Sequence, residues 1–305
     1  MKPTTEQSDK KTAFTIIELL TVMSIIVILI GLLLPSLTMV KRYAKEVKQK
    51  AQFHSINSAM ELFSGEWGSY PPSEAKDNST AIQDYCGAMK LCEAMVGQDL
   101  LGFHPSSHFW ADCTIDATNK LYDNPPLGTA AVLYPTVPDN LKARKSYLQS
   151  ENSNAYRLRE LYGTGNTAPF DEDLFVLCDV YNRVKNTATG KGIGMPILYY
   201  KANISNTNHD PNGTFPTAGN DQGYIYNYLD NDDLVALGLP WDTTGTATHP
   251  LNGTTTNFYE ITRNPKITLP TPIASRPYKP DSYILISAGF DGLYGTDDDV
   301  FNFEK

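Results

Sequence analysis

The chain has 305 residues, 41% hydrophobic and 19% charged, enough for a membrane segment plus a domain that buries its own core, and too apolar to stay unfolded. Its 34 acidic residues outnumber its 25 basic ones, and the net charge of −9 argues against nucleic acid as a primary partner. The basic residues that do cluster flank one apolar run near the amino terminus.

The first 13 residues, "MKPTTEQSDKKTA", form a polar leader with Lys10 and Lys11 just ahead of the run. From Phe14 to Val40 there are 27 residues with a single charge, Glu18. At a rise of roughly 1.5 Å per residue the run is about 40 Å long, more than the ~30 Å hydrocarbon core of a bilayer, and a span over 14–40 is predicted. A secretory signal would have an apolar region of about 7–15 residues ending at a small-residue cut. This run is nearly twice that and ends in "LLLPSLTMVKRYAKEVKQK", so it is expected to stay in the mature chain. Lys41, Arg42, Lys45, Lys48 and Lys50 follow it. By the positive-inside rule they would face the cytoplasm.

Glu18 lies one turn inside the run. A carboxylate at the centre of a membrane helix costs roughly 2.5–3.5 kcal/mol on insertion scales, so Glu18 either snorkels to the interface or meets a cation at its own depth. A cut between Ala13 and Phe14 would create one, the new α-amino group of Phe14, able to pair with Glu18 of a neighbouring copy.

The segment "KKTAFTIIELLTVMSIIVILIGLLLPSL" resembles the amino terminus of type IV pilins and type II secretion pseudopilins. The resemblance covers about the first 60 residues. It implies a leader removed by a dedicated membrane peptidase, N-methylation of Phe14, an assembly role for Glu18 and a helix-kinking role for Pro35. The family usually has Gly before the cut, where this chain has Ala13. The family also keeps the leader in the cytoplasm and exports the domain, against the charge count.

The helix is expected to continue as an amphipathic half over 41–66, with Ala44, Val47, Ala51, Ile56, Met60 and Phe63 at helical spacing. It should stop near residue 64, in "SGEWGSYPPS", where Gly65, Gly68, Pro71 and Pro72 oppose helix. Residues 67–305 read as an exported α+β domain. "NSTAIQDYCGAMKLCEAMVG" carries helical spacing, and 139–162 holds weaker helical patches. "LFVLCDVY" and "PILYYKA", separated by the Gly-containing "NTATGKGIG", read as a long-looped hairpin, and "SYILISAG" as a further strand. Residues 203–257, rich in Asn, Thr, Gly and Pro, read as a surface insertion. The expected architecture is a long amino-terminal helix on a globular domain with a small antiparallel sheet.

Cys86, Cys92, Cys113 and Cys178 are an even number in an expected exported domain, which makes them disulfide candidates with three pairings open. In "SAGFDGLYGTDDDVFN", residues 287–302, Asp297, Asp298 and Asp299 follow Asp291 among Gly289, Gly292 and Gly295. Clustered acids with carbonyls that a Gly-rich loop can turn inward suit Ca²⁺, which takes six to eight oxygens. The resemblance adds to this, since many major pseudopilins have a carboxy-terminal calcium loop of this kind. Asp291, Asp297 and Asp299 are the favoured side-chain ligands, with Asp298 a further candidate.

"NHDPNG", residues 208–213, opens like an EF-hand loop but reaches Gly219 at the twelfth position instead of Glu. "DNDD", residues 230–233, reads as a helix cap or solvated loop, and His104, His108 and Cys113 match no common zinc spacing. No nucleophile elbow, zincin or phosphate-loop motif is present, so an enzyme is not expected. The resemblance implies a structural filament subunit of a type II secretion pseudopilus. Its partners would be further copies of itself, minor pseudopilins, the prepilin peptidase, the inner-membrane assembly platform and membrane lipid. An adhesive or DNA-uptake pilus subunit, and a membrane-anchored periplasmic enzyme or binding protein, are the alternatives.

Overall fold

The computed structural model describes residues 15–79, 81–113, 120–122, 137–149, 153–242, 247–253, 255–267 and 275–304. Two compact units divide it, Met1–Ala44 and Lys45–Lys305. One helix, α1 (Ile16–Trp67), runs through the boundary as 52 helical residues without a break at Gly31 or Pro35. Pro35 has no N–H to give the preceding turn, yet the helix persists because its other backbone bonds are made within the segment.

In the first unit every residue from 15 to 34 and from 36 to 44 is exposed. Part of this stretch is long and apolar enough to cross a membrane, and none of it is buried inside the protein. Leu, Ile and Val exposed all round a helix have no stable place in water, whereas lipid would cover them.

The second unit uses the other half of α1 differently. Gln49, Gln52, Phe53, Ile56, Ala59, Met60 and Phe63 are buried, a stripe at steps of three and four. Ala44, Val47 and Ala51, expected on that face, are exposed, and two glutamines and Phe53 hold the buried positions instead. The physical reason is the backbone at 178–181, whose peptide groups meet this stretch of α1. Gln52 Nε2 donates to Cys178 O at 2.9 Å, Gln49 Oε1 accepts from Val180 N–H at 3.0 Å, and Lys45 Nζ donates to Tyr181 O at 2.5 Å. Buried peptide groups need partners, and here polar side chains supply them where apolar ones would not.

The central sheet has three antiparallel strands, β5 (Leu198–Lys201), β6 (Tyr283–Ser287) and β7 (Val300–Phe301), with β6 in the middle. Leu198 faces Ile286 and Lys201 faces Tyr283, while Ile286 and Ser287 face Phe301 and Val300. All five β6 residues are buried, so both faces of the strand are covered. Tyr283 and Leu285 join the cluster that holds Phe53, Ile56, Met60 and Phe63, while Ile284 and Ile286 join a second cluster on the other face. Period-two alternation thus divides one strand between two cores.

Helix α2 (Gly87–Val96) is buried along its whole length. It lies so close to β5 that a Cβ on Gly87 would fall 2.2 Å from Tyr199 O, which requires glycine at that position. The remaining elements are short: helices Val137–Ala143, Leu158–Tyr162, Asp232–Ala236 and Thr255–Thr262, and two-stranded pairings of β1 (Ala155–Arg157) with β2 (Phe175–Leu177) and β3 (Val184–Lys185) with β4 (Gly192–Ile193).

The long-looped hairpin is therefore corrected. Its two strand-forming runs, β2 and β5, lie in different sheets and touch through one isolated bridge, Cys178 to Pro196. Between them the chain folds its own small hairpin, β3–β4, while β2 pairs with β1 from a region expected to be helical. The long helix and the mixed α+β domain with small antiparallel sheets stand as expected.

Candidate functional sites: the helix cap and the acidic loop

At the amino end of α1, Thr15 and Glu18 form a capping box. Thr15 N–H and Oγ1–H both donate to Glu18 Oε2, at 2.9 and 2.7 Å, and Glu18 N–H donates back to Thr15 Oγ1 at 3.3 Å. The T-x-x-E spacing at a helix start produces this arrangement, because N-cap and N3 side chains each reach the other's backbone N–H. The cap gives Glu18 hydrogen bonds but no positive charge. Ala13 and Phe14 lie outside the described residues. Pro35 lies within α1, five residues before the apolar stretch ends at Val40.

The acidic sequence is the connection from β6 to β7, tied at its base by the Ser287–Val300 pair. Gly289, Gly292 and Gly295 all adopt positive φ, at 65°, 77° and 92°. A Cβ on Gly289 would sit 2.2 Å from Asp298 O, so at this point the turn admits no side chain. Tyr294 anchors the connection in the core. It is 1% exposed, its hydroxyl donates to Pro196 O, its N–H donates to His249 Nδ1 at 3.2 Å, and its carbonyl accepts from Leu251 N–H at 3.1 Å.

The four carboxylates do not act alike. Asp298 turns into the loop, where Oδ2 accepts the N–H groups of Phe290 and Asp291 at 2.7 and 3.0 Å and Oδ1 accepts from Thr296 Oγ1 at 2.7 Å. Burial raises the pKa of Asp298, but the Thr296 and backbone bonds outweigh it and hold the group below the usual carboxylate range. Asp291 accepts from Leu293 N–H at 2.7 Å, and burial together with the nearby charge of Asp298 pushes its pKa up. Asp299 accepts from Gly295 N–H at 2.8 Å, whereas Asp297 is exposed. Asp291 and Asp298 are thus the acids that meet, and Asp297, a favoured ligand on sequence grounds, stands apart.

The donors here are of calcium's kind, hard oxygens with excess negative charge. Their number falls short. Among the described residues no three His, Cys, Asp or Glu side chains gather as a metal's ligands, so carbonyls of the loop would have to complete a shell. Beside the loop, Lys45 lies 5.8 Å from the centre of the Phe290 ring, and buried Asp179 accepts from Ser287 Oγ at 3.0 Å.

None of the four cysteines is joined in a disulfide, and all are buried. They are spread over the core, Cys86 and Cys178 in one cluster, Cys92 in a second and Cys113 in a third. Burial pushes the Cys86 thiol up to about 12, which leaves it inert as a nucleophile. Cys113 Sγ donates to Gln98 Oε1 at 2.6 Å, and His104 Nδ1 accepts from Ser106 N–H at 3.1 Å, so neither is turned toward a common centre.

"DNDD" proves to be a junction. Asp232 and Asp233 occupy the first turn of a short helix, and Asn231 bridges Ala88 N–H and Tyr199 O, at 2.9 and 2.7 Å. Asp230 is buried against Ser73. Four scattered residues, Ser73, Asp221, Asp230 and Asp281, also line one cleft, and no motif in the sequence signals it. No protein-family profile, curated protein or solved structure matches the chain.

Proposed function

We propose that this chain is a structural subunit of a type IV pilin-like filament, of the kind that builds a type II secretion pseudopilus. In this reading the leader is removed between Ala13 and Phe14, Phe14 is N-methylated, and the apolar half of α1 holds the subunit in the inner membrane. Lys45–Lys305 then lies in the periplasm. Copies assemble through their apolar helices, with minor pseudopilins, the prepilin peptidase and an inner-membrane platform as partners, and the chain performs no catalysis of its own.

One observation carries the proposal. The apolar half of α1, exposed at every described position and otherwise uncharged, keeps one acid at its start, and the cap of that acid supplies hydrogen bonds without a counter-charge. A neighbouring copy's amino-terminal amine, at the same depth, is the cation the arrangement calls for. Calcium belongs to the same reading as a brace for the β6–β7 connection. Asp291 and Asp298 would hold it, and its charge would relieve their repulsion.

Glu18→Gln separates the two roles of the acid. Gln at N3 keeps the capping box but carries no charge. The variant is expected to insert into the membrane and fold normally, yet to yield far less filament on reconstituted assembly. A filament yield equal to the unsubstituted chain would show that the cap is the whole purpose of Glu18.

A further inference from the structure

A cleft of about 500 Å³ opens in the exported domain between the end of α1, the segment after it and the end of β5. That is in the ~300–1,000 Å³ range of small-molecule sites. At its base lies Asp230, 4% exposed, whose Oδ2 accepts from Ser73 Oγ at 2.5 Å. Ser73 is itself 3% exposed, and its Oγ accepts the N–H of Lys201 at 3.0 Å. The backbone N–H occupies a lone pair of the hydroxyl, so the hydroxyl proton is directed to Asp230 and the carboxyl is fixed in place. Among the described residues nothing donates to Asp230 Oδ1, leaving that oxygen to serve the cleft.

The charge of the lining selects the ligand. Four carboxylates, of Glu74, Asp221, Asp230 and Asp281, line the cleft with the ammonium of Lys201, and the buried Lys90 ammonium stands 4.0 Å from Glu74, so negative charge is still in excess and anions are disfavoured. Asp221 holds its charge firmly, because Gly223 N–H and the amides of Asn206 and Asn203 keep its pKa below the usual range. A bare divalent metal is disfavoured, since no three acids gather as ligands among the described residues. Tyr70 and Tyr224 also line the cleft. A buried carboxyl, acidic walls and the half-buried Tyr70 ring together suit an organic ammonium.

We propose that this cleft binds a small organic amine, with its ammonium group against Asp230 Oδ1 and its carbon chain toward Tyr70. All the residues that line the cleft lie within Lys45–Lys305, so the proposal does not rest on the filament reading.

The test is calorimetric titration of the full chain in detergent, at pH 8 and low salt, with 1,5-diaminopentane and with its uncharged counterpart 1,5-pentanediol. The diamine is expected to bind saturably, and the diol at least tenfold more weakly. Asp230→Asn, which keeps the bond from Ser73, is expected to weaken diamine binding about tenfold. Asp221→Asn, at the rim and remote from the core, is expected to weaken it several-fold, and it decides the matter if Asp230→Asn fails to fold. No saturable diamine binding, equal binding of the diol, or unchanged affinity in the folded variants overturns the proposal.

Discussion

The two halves of α1 reverse the usual link between apolar composition and burial. From Ile16 to Val40 the helix is almost wholly apolar, yet no described residue of it is covered by protein. From Lys45 to Phe63 it is far more polar, yet it supplies Phe53, Ile56, Met60 and Phe63 to a core, along with two fully packed glutamines. The first half is written for an apolar solvent, so every face can be Leu or Ile. The second is written for one protein surface, so only a narrow stripe is committed and each position in it must match a particular neighbour. Gln49 and Gln52 show what matching means: they are buried because the peptide groups at 178 and 180 need them.

The sharpest way to break that contrast is truncation on each half. Met60→Ala is expected to destabilise the unit Lys45–Lys305 by about 2–5 kcal/mol, since a fully buried side chain leaves a cavity that the sheet cannot fill. Leu29→Ala is expected to leave the thermal melt of the same domain unchanged. Equal melting losses in the two variants, followed by circular dichroism in detergent, would show that the halves are not distinct.

Calcium sharpens the contrast between core and surface loop. If free Ca²⁺ stands at 100 times its dissociation constant, binding to the folded state alone adds about 2.7 kcal/mol. Melts of the full chain with millimolar calcium and with chelator should therefore differ. Asp291→Ala and Asp298→Ala should each abolish most of the difference, and exposed Asp297→Ala should reduce it less. Coincident melts of the unsubstituted chain would make the β6–β7 connection a loop closed by its own hydrogen bonds alone.

A smaller effect concerns pH. Burial pushes Asp179 and Asp230 up to about 7, from 3.8. It pushes His209 and His249 down to about 4, from 6.5. The native chain keeps protons on the two acids that the unfolded chain releases, so their contribution is greatest below about pH 4 and is lost as pH rises toward 7. The unfolded chain binds protons on the two imidazoles that the native chain refuses, so their contribution is lost as pH falls from 6.5 to 4. These opposed pairs nearly cancel over about pH 4.5–6.5. His249→Gln removes one imidazole, and its melting temperature at pH 4.5 relative to pH 7.5 should rise compared with the unsubstituted chain. An unchanged or more negative difference would contradict the balance.

What the sequence showed and what it hid follow from the range of the interactions. The apolar run, the long helix and the β6 strand depend on nearest neighbours along the chain, and a long apolar helix, its end just past residue 64 and "SYILISAG" were all legible. Pairing was not, because β5 meets β6 across more than 80 residues, and a strand-forming run says nothing about which distant run it joins. Residues 155–157 read as helical because they lie in a stretch, 139–162, whose Leu, Arg and Tyr suit either period, and their pairing with β2 decides for strand. At the acidic loop the four aspartates were visible, but which of them turn inward depends on backbone N–H groups at 290 and 291 that only the folded turn presents. The capping box at Thr15 and Glu18 has a local spacing and was readable in principle. The cleft at Asp230 was hidden altogether, since its lining comes from separate stretches of chain between residues 64 and 282.

The filament-subunit reading rests most heavily on how the chain begins after processing, because the cation proposed for Glu18 exists only if Phe14 becomes the first residue. Intact mass and amino-terminal fragment spectra of the membrane-extracted protein measure this directly. The expected result is a chain starting at N-methylated Phe14 and retaining the whole apolar run. A mature chain that still starts at Met1, or one cut beyond Val40, would contradict it.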